Sequence, residues 1–191
     1  MIHEVDQALR SLLTTGTPAG SDVGVSFDAP TRDWAARRNG PAVNAYLYDI
    51  REDLERRQHG YVPVIDTTSG VARRRPQPRW FRLSYLVSAW TGQPEEEHRL
   101  LSSLLIRLVT NEVLTPAVLP GALGAMALDV MVTVSPSPVA SRSLAEIWSA
   151  LGGELRPSLD LMVTAPLPAD LDIEAGPLVT EAPSINLRRR Q

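Results

Sequence analysis

The residues that most often serve catalysis or metal binding are few in this sequence. It has three histidines, His3, His59 and His98, and no cysteine. The histidines fall in three different predicted elements, and none has the His-Glu-x-x-His spacing of zinc ligands. The lack of cysteine excludes disulfides, thiol catalysis and thiolate metal sites. We therefore expect no metal, no cofactor, no catalytic residue and no enzymatic activity.

One acidic segment could still support hydrolysis. Asp66 lies in VIDTTSGVA (residues 64–72), whose Asp-Thr and Ser-Gly pairs suggest the Asp-Ser/Thr-Gly loop of an aspartic protease. The separation of the two pairs spoils the tight loop that this motif requires. No second copy supplies the paired carboxylate, so only a homodimer could provide it. A hydrolase built on Asp66 is therefore the weakest of the functional alternatives.

Charge and hydropathy argue against two classes of partner. The net charge is -3 and the isoelectric point about 5.6, so no general attraction to nucleic acid or an anionic membrane is expected. The basic segments ARRRPQPR (72–79) and RRR (188–190) lack interleaved aromatic residues, and we interpret them as solvated. No apolar run approaches the roughly 18 residues of a membrane span, and the acidic start MIHEVDQALRSLL is unlike a signal peptide. We expect a cytoplasmic protein.

Hydrophobic periodicity predicts the elements that must position any functional surface. Helices are expected over residues 2–14, 93–114 and 143–151, and strands over residues 22–27, 40–50, 79–90, 129–135 and 159–165. The order α-β-β-β-α-β-α-β predicts an α+β domain with a mixed β-sheet packed by helices. Residues 1–167 form this predicted domain, and residues 168–191 a proline-rich linker and a tail. Residues 51–78 are expected to be a long loop between two strands.

Local patterns add detail to these elements. In residues 93–114 a buried stripe is expected, formed by Leu100, Leu101, Leu104, Leu105, Leu108 and Val109. Ser143 and Glu146 fit a capping box, and Gly152 or Gly153 a left-handed helix stop. Strand 40–50 carries bulk on both faces, with Val43, Ala45 and Leu47 opposed to Tyr46, Tyr48 and Ile50. It is therefore expected at the centre of the sheet.

The clearest strand pattern is RWFRLSYLVSAW (79–90). Its core face carries Phe81, Leu83, Tyr85, Val87 and Ala89. Its other face is polar in the middle, with Trp80 and Trp90 at its ends. These tryptophans either pack beneath a loop or helix or contact another protein, because tryptophan is enriched at interfaces. Both interpretations stay open at this stage.

Several segments together resemble a known family: YLYDIREDLERR, RWFRLSYLVSAWT, EHRLLSSLL and SLAEIWSALGGELRPSLDLMVTAPL. They are similar to the tail-terminator, or cap, proteins of extracellular contractile injection systems, which are phage-tail-like particles. The resemblance covers most of residues 1–167 and omits the 60–78 loop. It implies a structural hexamer that closes the baseplate-distal end of the tube and sheath, with the sheath protein, the inner tube protein and further copies of itself as partners. An adaptor or assembly chaperone of such a particle is the alternative.

The C-terminal tail supplies the remaining candidate contact residues. Ile185 and Leu187 alternate around Asn186, and Arg188, Arg189 and Arg190 follow. We expect residues 176–191 to contact a neighbouring sheath or cap subunit in extended form, as in strand-addition contacts. The arginines would then meet an acidic rim and aid encounter. The alternative is a disordered terminus.

Overall fold

The computed structural model describes residues 1–17, 23–65, 72–134, 143–167 and 173–174. The chain divides into two compact units. The first comprises Met1–Arg57 and Arg79–Pro168, and the second comprises Gln58–Pro78 and Ala169–Gln191.

Helices and strands alternate irregularly along the described chain. The helices are α1 (Ile2–Thr15), α2 (Arg32–Arg37), α3 (Pro94–Thr110), α4 (Gly121–Ala125) and α5 (Leu144–Ala150). The strands are β1 (Gly24–Ser26), β2 (Ala42–Glu52), β3 (Tyr61–Ile65), β4 (Ala72–Pro76), β5 (Arg79–Trp90), β6 (Val113–Leu114), β7 (Val130–Val134), β8 (Ser158–Leu167) and β9 (Ile173–Glu174). Short 3-10 turns occupy Leu54–Arg56 and Pro116–Val118.

The first unit is organised around a six-stranded sheet of order β1-β2-β5-β8-β7-β6. β1 and β2 are parallel, and every other neighbouring pair is antiparallel. The predicted α+β class, with a mixed sheet packed by helices, is therefore confirmed. The expected central place of β2 holds only for Ala42–Asn44, which lies between β1 and β5. Beyond Asn44, where its large side chains lie, β2 has no outer neighbour among the described strands.

One face of this sheet carries the main core. The face of β5 predicted for the core is buried there, with Leu83, Tyr85 and Val87 fully enclosed. α1 and α3 cover it and contribute the buried leucines Leu9, Leu13, Leu100, Leu104 and Leu108. The periodicity of both helices thus places their apolar stripes against the sheet, where the burial of each leucine stabilises the fold by about 2 kcal/mol.

The opposite face of the sheet carries a second, smaller core. Leu86 and Trp90 of β5 pack there with Ile147 and Trp148 of α5. Trp34 of α2 is half-buried against the same cluster. The sheet of the first unit therefore has helices on both faces.

The long loop expected at residues 51–78 is wrong. This segment contains the Leu54–Arg56 turn, β3 and β4, and β4 pairs with both β3 and β9 in a three-stranded antiparallel sheet. The prolines and arginines of this segment obscure any hydrophobic alternation. Ladder hydrogen bonds join backbone groups, so the pairing can form without that alternation.

Ile50 does not share a face with Tyr46 and Tyr48. The register of β2 against β5 shifts between Leu47 and Asp49, which leaves Tyr48 without a paired residue. Such a bulge inserts one residue and reverses the side-chain alternation beyond it. Ile50 therefore pairs with Leu83 and lies on the face of the main core.

Two helix predictions also need correction. Ser143 is the N-cap of α5, but its side chain makes no capping hydrogen bond. Gly152 adopts the predicted left-handed conformation, with φ of 68°. In α3 the buried stripe is narrower than expected, because Leu105 is 39% exposed and Val109 51% exposed. The sheet covers only one side of the helix, and these two side chains lie outside it.

Candidate protein-interaction site

The described residues offer no evident centre for catalysis. Within those ranges, no group of three His, Asp or Glu residues could hold a metal ion. His3, His59 and His98 are exposed and lie in α1, before β3 and in α3. Asp66 lies outside the described residues. In the same part of the chain, no helix is long and apolar enough to cross a membrane.

Trp90 lies at the centre of an aromatic cluster. Its ring is 5.3 Å from that of Trp34 and 6.2 Å from that of Trp148, measured between centroids. Its indole N–H donates to Ser88 Oγ at 2.9 Å. Only 6% of Trp90 is exposed. This burial favours the packing interpretation of Trp90 over a role as an exposed contact.

Two arginines hold their charges against the Trp90 ring. The Cζ atom of Arg156 lies 4.1 Å from the ring centroid and that of Arg38 lies 5.8 Å away. Arg38 donates to the Trp90 carbonyl at 3.0 Å, and Arg156 donates to Glu97 Oε1 at 2.5 Å. Cation–π and ion-pair contacts of this kind stiffen the cluster. A groove of about 350 Å³ opens beside it, between the Pro30–Ala35 segment and residues 153–156.

Trp80 has a different environment at the other end of β5. It is half-buried, and the Cζ atom of Arg56 lies 5.0 Å from its ring centroid. Ile50 is 49% exposed and Leu54 66% exposed, and they lie at the end of β2 and just after it. Asp53 connects these residues, since its backbone N–H donates to the Trp80 carbonyl at 2.8 Å. We call this end of β2, with Ile50, Leu54 and Trp80, the β2 corner. Ile50 lies on the main-core face of the sheet there and Trp80 on the opposite face.

Charged side chains surround the β2 corner in pairs. Arg82 donates to Asp53 Oδ1 at 2.8 Å and to Glu55 Oε2 at 3.2 Å. Glu52 bonds Arg57, and that hydrogen bond lowers the pKa of the Glu52 carboxyl. These groups are neutralised locally, so they form a polar rim around the apolar residues, as protein interfaces commonly have.

A second exposed surface lies on α3 and the segment that follows it. It consists of Leu105, Ile106, Val109, Val113 and Val118, which are between 39% and 68% exposed. We call this surface the α3 patch. Val113 and Val118 also line a groove of about 300 Å³ beside α1. Helical spacing did not predict this patch. A signal for it is present in the sequence, because the run Leu104–Val109 is apolar at every position except Arg107, which is more than one buried stripe requires.

The register of the sheet sets the relative position of these two surfaces. Val113 of β6 pairs with Met131, which pairs with Thr164, then Arg82 and finally Arg51 of β2. The α3 patch and the β2 corner thus reach opposite edges of the sheet in one row. Four interstrand steps separate those edges, about 19 Å.

The tail candidates Ile185, Leu187, Arg188, Arg189 and Arg190 lie outside the described residues. Of the residues proposed from the sequence, the structure therefore locates two. It buries Trp90 in the second core and leaves Trp80 half-exposed at the β2 corner.

Comparison with known proteins gives a match to one family model and matches to solved structures. A family model described as the Pvc16 N-terminal domain matches residues 4–181. No curated protein sequence matches the chain.

Two cryo-EM structures are similar to the described fold. One is the PVC sheath/tube terminator of an extracellular contractile injection system in its extended state, with 26% sequence identity and a TM-score of 0.72. The match covers 99% of this chain and 64% of that one. The other is the tube-terminating cap of the anti-feeding prophage, with 25% identity and a TM-score of 0.66, covering 95% of this chain and 60% of that one. The chain thus spans less than two thirds of either relative.

Proposed function

Because the chain belongs to the Pvc16 N-terminal domain family, we propose that it is a structural cap of a contractile injection system. In this role a hexameric ring of the chain closes the baseplate-distal end of the inner tube and sheath. The observation that carries the proposal is the match of nearly the whole chain to a solved sheath/tube terminator. The partners are the sheath protein, the inner tube protein and further copies of the chain.

The described surface supports a role without catalysis. The aromatic cluster around Trp90 is held by ion pairs and packing, and the exposed apolar residues lie on broad surfaces. Exposed apolar patches of this kind commonly mark contacts with other proteins. Of the two tryptophans at the ends of β5, we propose Trp80, at the β2 corner, as the residue that contacts another protein.

The decisive experiment uses particles purified from cells with and without the chain. We expect particles lacking it to have tubes and sheaths of uncontrolled length or frayed distal ends, and the full chain supplied in trans to restore them. An affinity label on the chain should appear by electron microscopy only at the end opposite the baseplate. Label at the baseplate, or none on finished particles, would reject the cap and favour an adaptor or assembly chaperone.

For the C-terminal tail, residues 176–191, we propose a contact of its own. Residues 176–191, with Ile185, Leu187 and Arg188–Arg190, add in extended form to an unpaired strand edge of a neighbouring subunit. A chain that ends at Pro177 should keep its fold and lose sheath attachment. If this shortened chain caps tubes and preserves sheath length, the tail has no such role.

A further inference from the structure

The α3 patch is unusual for a helix on the surface of a folded unit. α3 already buries Leu100, Leu104 and Leu108 against the sheet. The opposite side of its last two turns also presents apolar side chains, with Ile106 68% exposed and Val109 51% exposed. A helix that is apolar on both sides is normally covered on both sides. The outer side of α3 therefore has the character of a contact surface.

The β2 corner has matching properties at the other edge of the sheet. β1 pairs only with Ala42–Asn44, so within the described residues the outer edge of β2 beyond Asn44 has no neighbouring strand. Leu54, 66% exposed, lies just beyond this edge. The corner thus offers apolar side chains beside an open strand edge, at the edge opposite the α3 patch.

We propose that the α3 patch of one copy packs against the β2 corner of the next copy. The inference rests on the proposed ring, because identical chains close a ring by a head-to-tail contact between two different surfaces. The positions are compatible with this requirement, since Val113 of the α3 patch and the β2 corner lie at opposite edges of the sheet in one row. A head-to-tail contact between copies covers both surfaces at once.

The residues beside the two surfaces carry small net charges of opposite sign. Exposed Glu112 and Asp129 flank β6 and β7 next to the α3 patch, and Arg107 lines the groove beside Val113 and Val118, so these three residues leave a net charge of -1. At the β2 corner Arg51, Arg56 and Arg79 each pair with a carboxylate, of Asp49, Asp53 and Glu52 respectively. Positions 49–57, 79 and 82 hold five arginines and four acidic residues, which leaves a net charge of +1. Opposite charges at the rim of a contact favour the correct orientation during encounter.

The first test measures the oligomeric state of the full 191-residue chain by analytical ultracentrifugation. Ile106→Asp and Leu54→Ser should each weaken self-association by about tenfold or more, because each removes one apolar anchor from the contact. Leu155→Asp and Leu155→Ser are the matched controls, since Leu155 is 66% exposed and lies outside both surfaces. The controls should assemble as the wild type does. Thermal unfolding of every variant verifies that the fold is retained.

A mixing experiment identifies the head-to-tail arrangement. An Ile106→Asp copy retains an intact β2 corner, and a Leu54→Ser copy retains an intact α3 patch. An equimolar mixture should therefore form dimers that neither variant forms alone, but no closed rings. If the patch instead contacted itself, the Leu54→Ser chain would still dimerise alone.

The outcomes separate this inference from the proposed function. Folded Ile106→Asp and Leu54→Ser chains that assemble and cap tubes like the wild type overturn the contact and leave the cap proposal standing. A wild-type chain that stays monomeric both in solution and on tube ends also overturns the contact. Label at the wrong end of the particle rejects the cap, whatever these variants do.

Discussion

The guanidinium of Arg156 lies on the ring of Trp90, with its Cζ atom 4.1 Å from the ring centroid. The same group donates to Glu97 Oε1 at 2.5 Å. Arg156 lies just before β8, Trp90 is the last residue of β5, and Glu97 lies in α3. The Arg156 side chain therefore connects three elements that are distant in the sequence. Trp90 is thereby fixed in position and enclosed.

This arrangement predicts the effect of removing Arg156. Glu97 is 9% exposed, so Arg156→Ala leaves a nearly buried carboxylate without its cation and should lower the free energy of unfolding by about 2 kcal/mol. Arg156→Lys keeps the charge and loses the planar stacking, so its loss should be smaller. Urea denaturation measures both. Arg57→Ala, which removes an exposed partner of Glu52, is the comparison and should leave stability unchanged.

Glu4 should make the free energy of unfolding depend on pH in the acidic range. Its carboxylate accepts from the N–H groups of Ala122 at 2.8 Å and Leu123 at 3.3 Å, at the start of α4. Burial would raise the pKa of Glu4, but these hydrogen bonds and the nearby terminal ammonium group lower it overall. A lowered folded-state pKa stabilises the fold above the unfolded value of about 4.3 and ceases to do so as the pH falls through the folded value.

Denaturation at several pH values tests this effect. We expect the wild type to lose stability below about pH 4.3 and Glu4→Gln to lose less over the same range. At neutral pH the variant should be less stable by about 1 kcal/mol, because a neutral amide is a weaker acceptor than a carboxylate. Equal acid profiles for the two chains would show that Glu4 is not responsible.

Gly121 should be the least replaceable of three glycines. Its φ is 59°, and an added Cβ would lie 2.2 Å from Glu4 Oε1. Gly152 has a φ of 68° but open space around it, so Gly152→Ala should cost only the backbone strain, about 1–2 kcal/mol. Gly24 has neither constraint, and Gly24→Ala should stay within about 0.5 kcal/mol of the wild type. In thermal or urea unfolding, Gly121→Ala should lose more stability than either of the other two variants. A larger loss for Gly24→Ala than for Gly121→Ala would contradict the geometry.

Ionisation of two tyrosines, Tyr48 and Tyr85, should lower the free energy of unfolding at alkaline pH. Burial, followed by the charge of Asp6 and the 2.8 Å hydrogen bond to it, raises the pKa of Tyr85. Burial and the 2.8 Å bond to Asp160 do the same for Tyr48. A raised folded-state pKa means that stability is full below the unfolded value of about 10 and is lost as the pH rises above it.

Phenylalanine variants measure this contribution. Tyr85→Phe should weaken the alkaline loss of stability and cost about 1 kcal/mol at neutral pH, because it removes the hydrogen bond to Asp6. Tyr61→Phe is the comparison at neutral pH, where no change is expected because Tyr61 is 53% exposed. The hypothesis fails if Tyr85→Phe retains the full alkaline slope of the wild type.

The sequence predicted the class of fold and the inward faces of its main elements. The alternation of Leu83, Tyr85 and Val87 in β5 indicates which side of the strand is buried, and the structure confirms it. The structure also confirms the burial of Leu100, Leu101, Leu104 and Leu108 in α3. The resemblance to injection-system cap proteins is confirmed by the family match over residues 4–181 together with the similarity to two solved terminator structures. These features are readable because burial leaves a period of two in a strand and of 3.6 in a helix.

Only the tertiary structure determined which side chains are exposed on the surface. The bulge at Tyr48 depends on how β2 pairs with β5, and it places Ile50 on the main-core face. Trp80 and Trp90 have the same place in the strand pattern, yet α5 and α2 cover Trp90 and leave Trp80 half-exposed. Leu105 and Val109 fit a buried stripe by spacing, but the sheet covers only the other side of α3. Periodicity fixes the direction of a side chain within its own element, whereas its exposure depends on neighbours that long-range pairing brings to it.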